Sequence, residues 1–493
     1  MSATATPAHP RSSRRLALHL RATQPLALAA LTLLALVLRL SQIDQSLLGD
    51  EYFSYQDIAG RSFGAVLSTV HAGGENSPPL FFLLAWITAK LGDPTVWLRL
   101  PSMLLGAATV PVVYVLGRES VGRIAGMIAA GVIAVAPFTV FYGIEARPYA
   151  TMTFFVAIST LALLRAMRTG ARGWWALYVL AATAAAYSHY TCVFVLGVQA
   201  LWSLWRCRER IGPALVSNVL IGVFYLPWLP QLRGKALAVI GSLYPLGVSR
   251  VLGDLLRPIP GHPAAPLRAI PTIAGLIAFA LIVVAGLAAL GRRWHATPGR
   301  RLVPRADSDG ALIVALAFAT PVGLLLYSLL ATDLWLPRGL SASIPAAALA
   351  LGALVAALPR RVAVAAVLAI AVTLLAGTAR SLGPAYDRGP YRTLANYLDR
   401  VARPPDPIVL ATYAGAGPLL VQFKHAHTIV RKPALWSHIG AGGTGYMVLD
   451  EQIARFLHVS TVPPAGFVLI ARRHYGGGLA TDLLTYRRRP AEA

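Results

Sequence analysis

The stretch PLALAALTLLALVLRLSQIDQSLLGDE, residues 25–51, decides the reading of this chain. Its first part, Pro25 to Leu40, is an apolar run close to the ~20 residues that a bilayer core requires. About ten residues past its end, Gly49-Asp50-Glu51 place two adjacent carboxylates beside hydrocarbon. Charge in that position is costly unless it faces water, a partner or a substrate. The acidic pair is therefore the first candidate site, and the surrounding chain should be a membrane bundle.

Composition agrees. The chain has 493 residues, 56% of them hydrophobic and 13% charged, and its mean hydropathy is +0.61. Soluble domains carry about 25% charged residues. Lys and Arg total 44 against 20 acids, a formal net charge of +24. A basic balance can signal nucleic acid. Here the basic residues sit mostly in short links between apolar runs, where cytoplasmic loops and anionic lipid headgroups explain them, so no nucleic-acid partner is expected. Cys192 and Cys207 are the only cysteines. One lies in an apolar run and the other in a basic link, which suggests neither a disulfide nor a metal framework. No Walker loop, dinucleotide fingerprint or zincin motif is present.

The basic residues at 11–21 precede Pro25–Leu40, which reads as an uncleaved first span after a cytoplasmic tail, 1–24. Further runs at 98–117, 124–142, 149–166, 174–189, 190–205, 213–231, 271–290, 310–331, 340–357 and 361–379 give about eleven spans. Arginines concentrate at every alternate link, around 118–123, 165–172, 206–210, 292–305 and 360–361. With the N-terminus inside, those links are cytoplasmic. Pro78 to Leu91 is apolar but short; it reads as a helix lying along the outer surface, within an outer loop 44–97. The orientation then puts Asp50, Glu51, Glu145, Arg147, His189 and Arg338 on one side of the cell or plasma membrane. A long Pro-rich outer loop, 232–270, contains His262; it is either a substrate lid or a tolerated surface loop. After Ala379 the character changes. Residues 380–493 read as a small soluble α/β domain, with a helix at Tyr391–Val401, strands at Pro407–Thr412 and Gly466–Ala471, and a helix opening within Gly415–Phe423. The fold class is mainly α, a polytopic helix bundle with an α/β appendage.

Several residues are able to carry chemistry. Asp50 or Glu51 suits a general base for an acceptor hydroxyl, and adjacent carboxylates can also hold a cation; a helix start is the plainer reading. Glu145 and Arg147, in Phe141-Tyr142-Gly143-Ile144-Glu145-Ala146-Arg147-Pro148-Tyr149, either pair with each other or offer a guanidinium to a phosphate. His189 marks an outer turn. Arg338, in Leu336-Pro337-Arg338-Gly339, either snorkels or meets a lipid-linked phosphate.

Asp50-Glu51, then Asn76-Ser77-Pro78-Pro79-Leu80-Phe81-Phe82, then Tyr142 to Tyr149 with its Glu-Ala-Arg-Pro-Tyr core, together resemble the membrane C-type (GT-C) glycosyltransferases. The likeness runs from about 25 to 350 and is greatest to the bacterial dolichyl-phosphate-mannose-protein mannosyltransferase-like group, relatives of the protein O-mannosyltransferases and the lipid A aminoarabinose transferase. That group commonly has His-Pro-Pro where this chain has Asn76-Ser77-Pro78-Pro79, so any role of that His does not transfer. The resemblance implies a sugar donor carried on a polyprenyl phosphate and transfer, outside the cytoplasm, to a glycan, lipid or protein acceptor. It implies Asp50 as leading base with Glu51 beside it, and Arg147 and Arg338 as donor-phosphate contacts. Glu145, Tyr149, His189 and His262 are further active-site candidates. Some relatives bind a divalent cation near the acids, so Mg or Mn at Asp50, Glu51 and Glu145 is a further expectation. The rival readings are a transporter or flippase using the same charges as a substrate path, and a basic C-terminal module binding anionic polymer.

Overall fold

The computed structural model describes residues 11–72, 77–233, 245–295, 305–411, 416–476 and 480–490. Asn76, Thr412 and Gly415 and loop residues 234–244, all parts of segments singled out above, lie outside these. Among the described residues, seven helices are long and apolar enough to cross a membrane: Pro94–Ser120, Tyr149–Thr169, Arg208–Gln231, Arg268–Arg293, Asp309–Leu330, Pro337–Ala356 and Arg360–Ser381. Four shorter apolar helices accompany them, Gln24–Leu40, Leu80–Leu91, Arg123–Val135 and Cys192–Arg206. Leu80–Leu91 is not one of the runs read as spans, while the run 174–189 forms the helix Arg172–Ala186 and the run 124–142 is broken between Val135 and Pro137; helices prevail because only a helix satisfies every backbone group of a single segment in lipid. Burial separates them into layers. Pro337–Ala356 is 72% buried inside the bundle, whereas Arg208–Gln231 is 17% buried and presents Leu215, Val219 and Val223 outward.

Small residues let the inner helices touch. A Cβ on Gly117 would fall 2.4 Å from the Cα of Gly126, and one on Gly352 would fall 2.3 Å from the carbonyl oxygen of Ala125. Lipid gives no hydrophobic drive between helices, so close backbone approach of this kind is what holds them.

The helix Arg123–Val135 stops at Pro137, which has no N–H to give the Ile133 carbonyl. The Thr139 hydroxyl donates to that oxygen at 2.9 Å. Arg39, fully buried in the first span, donates to the carbonyls of Ile133, Ala134 and Thr139 at 3.3, 3.4 and 3.0 Å. A charged side chain inside the bundle thus replaces the missing backbone donors of a broken helix.

The described residues within 44–97 form short helices, Gly49–Ile58, Phe63–His71 and Leu80–Thr88, before Pro94 begins the next long one. Phe81, Phe82 and Ala85 are buried with Leu47, Ile58, Val66 and Val70. The Pro78–Leu91 segment is therefore a short helix packed on its neighbours, as its length suggested.

The C-terminal domain holds a five-stranded sheet: β1 (Pro407–Leu410), β2 (Thr428–Val430), β3 (Thr444–Asp450), β4 (Phe467–Tyr475) and β5 (Thr481–Arg488), in the order β2-β1-β3-β5-β4. β1 runs parallel to β2 and β3; β5 runs antiparallel to β3 and β4. The helix Tyr391–Val401 packs Leu394 and Leu398 on one face against Ile408, Val448 and Leu483. Leu435, Ile439 and Met447 fill the other. The α/β reading holds, with one correction: the helix expected within Gly415–Phe423 is a single 3-10 turn, Gly417–Val421, because Pro418 and the flanking glycines give it no run of helix formers.

Candidate functional site

The site forms where the helix Gly49–Ile58 meets the break between Tyr142 and Tyr149. Successive residues of a helix point about 100° apart, so Asp50 and Glu51 look in different directions while Asp50 and Ser54 share a face. Glu51 turns inward. Its Oε1 accepts from Arg99 Nε at 2.9 Å and from the Ala146 backbone N–H at 2.8 Å; its Oε2 accepts from Arg99 Nη2 at 2.6 Å and from the Leu48 N–H at 2.8 Å. Neither side chain of the pair is exposed. Arg388 Nη1 lies 3.6 Å from the same carboxylate. Burial opposes ionisation, but Arg99 and Arg388 outweigh it and hold the Glu51 carboxyl down at about 2.

Asp50 turns to the open side. It forms an ion pair with Arg338, which enters from the segment before Ile344–Ala356. The Asp50 side chain is 36% exposed and that of Arg338 29%, so this pair forms the mouth of the site. Burial would raise Asp50, yet Arg338 and Arg147 keep it below the usual carboxylate range. Arg147 stands behind, donating from Nη1 to Ser54 Oγ at 3.1 Å with its guanidinium 5.9 Å from the Phe82 ring centre.

Aromatic rings line the rest. Tyr149 stacks edgewise on Tyr142 at 5.1 Å and tilts against His189 at 5.2 Å. His189 Nδ1 is 3.0 Å from Thr191 Oγ1. Burial, with Arg338 and Arg147 near, lowers His189 to about 3, so the ring stays neutral. Beneath Tyr142 and Tyr149 lies a cavity of about 30 Å³, lined also by Arg39, Thr109, Thr139 and Ser341. That is room for one or two waters.

Glu145 is 2% exposed, and its Oε2 has no hydrogen-bond partner among the described residues. Burial pushes it up to about 7 against the pull of Arg388. Arg388 comes from the segment leading into the C-terminal domain. It is 1% exposed, sits 4.3 Å over the Phe141 ring and donates to the Phe141 carbonyl at 2.6 Å. His262 packs edge-on to Phe141, at 5.1 Å, and near Tyr386.

The candidates thus divide. Asp50, Arg338, Arg147, Tyr149 and His189 converge on one mouth. Glu51 is corrected from a second chemical carboxylate to an internal strut, because all its acceptor directions are used. His262 belongs to a backing layer with Arg388, not to the mouth. Asp50, Glu51 and Glu145 do not form the expected three-residue cation cage, since both oxygens of Glu51 are already taken by Arg99 and two backbone N–H groups. The part of loop 232–270 that is described is fastened down. Trp335 Nε1 donates to Asp254 at 3.1 Å, and Arg257 donates to the carbonyls of His262 and Ala265 at 3.0 and 2.6 Å.

Sequence reasoning passed over Arg99, Arg388 and Arg39. Arg39 and Arg99 carried a signal, being charges inside or beside apolar runs rather than in links. Arg388, in Asp387-Arg388-Gly389-Pro390, carried none.

Residues 76–229 match the family model of the dolichyl-phosphate-mannose-protein mannosyltransferases. No curated protein matches the chain. Among solved structures, it is similar to ArnT from Cupriavidus metallidurans in the apo state, with 14% identity and a TM-score of 0.54 over 92% of this chain and 97% of that one. The same ArnT bound to undecaprenyl phosphate gives 14% identity and a TM-score of 0.52 over the same shares. Residues 76–229 are thus similar to the dolichyl-phosphate-mannose-protein mannosyltransferases, and the chain shares the multi-helical fold of ArnT along nearly its whole length.

Proposed function

We propose that the chain transfers a sugar from a polyprenyl-phosphate donor to an acceptor hydroxyl outside the cytoplasm, with inversion. The observation that carries this reading is the Asp50–Arg338 ion pair at the mouth, with Arg147 behind it. The donor phosphate competes with Asp50 for Arg338. Once it takes the guanidinium, the Asp50 carboxylate is released to accept a proton.

The step balances simply. The acceptor O–H gives its proton to Asp50, its oxygen forms the new bond to the anomeric carbon, and the bond from that carbon to the phosphate oxygen breaks. The leaving lipid phosphate keeps the electron pair, and Arg338 and Arg147 neutralise it. Glu51 keeps the helix Gly49–Ile58 in register through Arg99, so Asp50 is aimed rather than free to swing. Tyr149 and neutral His189 offer hydrogen bonds to the sugar. No step runs through a cation. ArnT bound to undecaprenyl phosphate supplies the precedent for a lipid phosphate on this fold.

Purified protein in lipid, given radiolabelled polyprenyl-phosphate sugars and extracts of cell-envelope acceptor, should move label into one product and release polyprenyl phosphate in equal amount. Release of the carrier without labelled product, or no turnover with any such donor, would count against the reading.

A further inference from the structure

Three side chains of the C-terminal domain meet at a point that the transfer reaction does not use. His474, near the end of β4, faces Asp482, its cross-strand partner near the start of β5. Glu451 follows β3 directly, one residue after the Asp450–Thr481 pair. Strand register alone therefore brings all three to one corner of the sheet. His474 Nδ1 lies 3.1 Å from Glu451 Oε1 and 3.1 Å from Asp482 Oδ1. One ligand atom from each residue falls within 4.8 Å of the other two.

The outward oxygens are separately held. Arg455 Nη2 donates to Glu451 Oε2 at 3.0 Å, and Arg472 Nε donates to Asp482 Oδ2 at 2.9 Å. Each carboxylate is thereby left presenting one oxygen to the imidazole. Outer partners that fix ligand orientation in this way are a regular feature of metal sites. Around Glu51, by contrast, the arginine takes both oxygens and leaves nothing to offer.

We propose that Glu451, His474 and Asp482 bind a divalent transition-metal ion of the zinc class. Bonds of about 2.0–2.2 Å in a tetrahedral site put neighbouring ligand atoms about 3.4 Å apart. The observed 3.1 Å contacts open to that with small side-chain rotations. One imidazole and two carboxylates form a borderline donor set that suits zinc better than calcium or magnesium, which take oxygen ligands. Water completes the coordination on the exposed His474 side. The ion would tie the helix Glu451–Phe456 to the paired strands β4 and β5, a local staple. This proposal is independent of the transfer reading.

The alternative is that the His474 Nδ1–H simply bridges two carboxylates, with no ion. Tag-free full-length protein, stripped with chelator and dialysed against zinc chloride, distinguishes the two. The expected result is one zinc per chain by atomic absorption and a higher unfolding midpoint on adding zinc. Both are lost in His474→Gln and in Asp482→Asn. Asp482 is buried, so if that variant fails to fold, the exposed His474→Gln, checked by circular dichroism, decides alone. Equal zinc uptake by wild type and His474→Gln, or none by wild type, overturns the site.

Discussion

Glu51 and Arg99, 48 residues apart in sequence, join through two parallel hydrogen bonds of 2.9 and 2.6 Å with neither side chain exposed. Removing one partner of a buried pair strands the other charge, at a cost of about 3–5 kcal/mol. Glu51→Gln should therefore lower the unfolding midpoint sharply, and Arg99→Met likewise. Acid should erase part of the difference. The folded Glu51 carboxyl is held at about 2 against 4.5 in an unconstrained chain. On acidification the unfolded chain binds its proton first, so the stabilisation is complete above about 4.5 and drains away as pH falls toward 2; its size is on the order of 3 kcal/mol. Midpoints of wild type and Glu51→Gln measured across that range should converge. A constant gap would mean that the charge of Glu51 is not what holds the helix.

Asp50 sits one residue earlier and should behave in the opposite manner. It is partly exposed, so Asp50→Asn should leave stability within about 1 kcal/mol. Transfer should fall by about 10²–10⁴, the contribution typical of a positioned acid or base. Binding of polyprenyl phosphate should hold or tighten, because Arg338 loses its internal competitor. Arg338→Lys should weaken that binding instead, since a point charge replaces a planar fork. Titration of both variants with polyprenyl phosphate, beside single-turnover transfer, checks the pair. Loss of lipid binding in Asp50→Asn would contradict the competition.

The contrast between these neighbours shows what the sequence could and could not disclose. Each apolar run announced its helix, because the bilayer sets both length and composition. Asp50-Glu51 was visible as a place, but a dipeptide does not say which member faces inward; that follows from the helix phase and from Arg99. Arg338 reaches Asp50 across 288 residues of chain, a distance no local pattern encodes. Arg388 enters from beyond the last span, where a count of links by charge had no reason to look. β3 and β5 escaped notice because nearly all their residues are buried, which removes the alternation that marks a half-exposed strand.

Glu145 yields a pH dependence of the reverse sign. Burial lifts it from 4.5 to about 7, so the folded protein keeps a proton that the unfolded chain has already lost. Stability contributed by this group therefore declines as pH rises from about 4.5 to about 7, by up to roughly 3 kcal/mol. Glu145→Gln should match wild type near pH 5 and exceed it near pH 8. Arg388→Met removes the charge that most favours ionisation and should steepen the wild-type decline. Unfolding midpoints at the two pH values test both. A Glu145→Gln gain that is equal at pH 5 and pH 8 would show that ionisation of Glu145 plays no part.

The bundle itself offers a prediction with a built-in control. A methyl group on Gly352 meets the Ala125 carbonyl oxygen at 2.3 Å, which is backbone and has nowhere to go. Gly352→Ala should therefore push the helix Ile344–Ala356 off Arg123–Val135, a cost of about 1–3 kcal/mol, and Gly352→Val should cost more. Arg338 lies just before Ile344–Ala356, so the same shift should reduce transfer through misplacement of the mouth. Gly131 lies on the same helix as Ala125, but a Cβ there meets nothing within 4 Å. Gly131→Ala gains helix propensity of up to about 1 kcal/mol without a clash. Unfolding midpoints should thus fall for Gly352→Ala and hold or rise for Gly131→Ala. If the two alanines behave alike, the close backbone contact is not what sets the spacing of these helices.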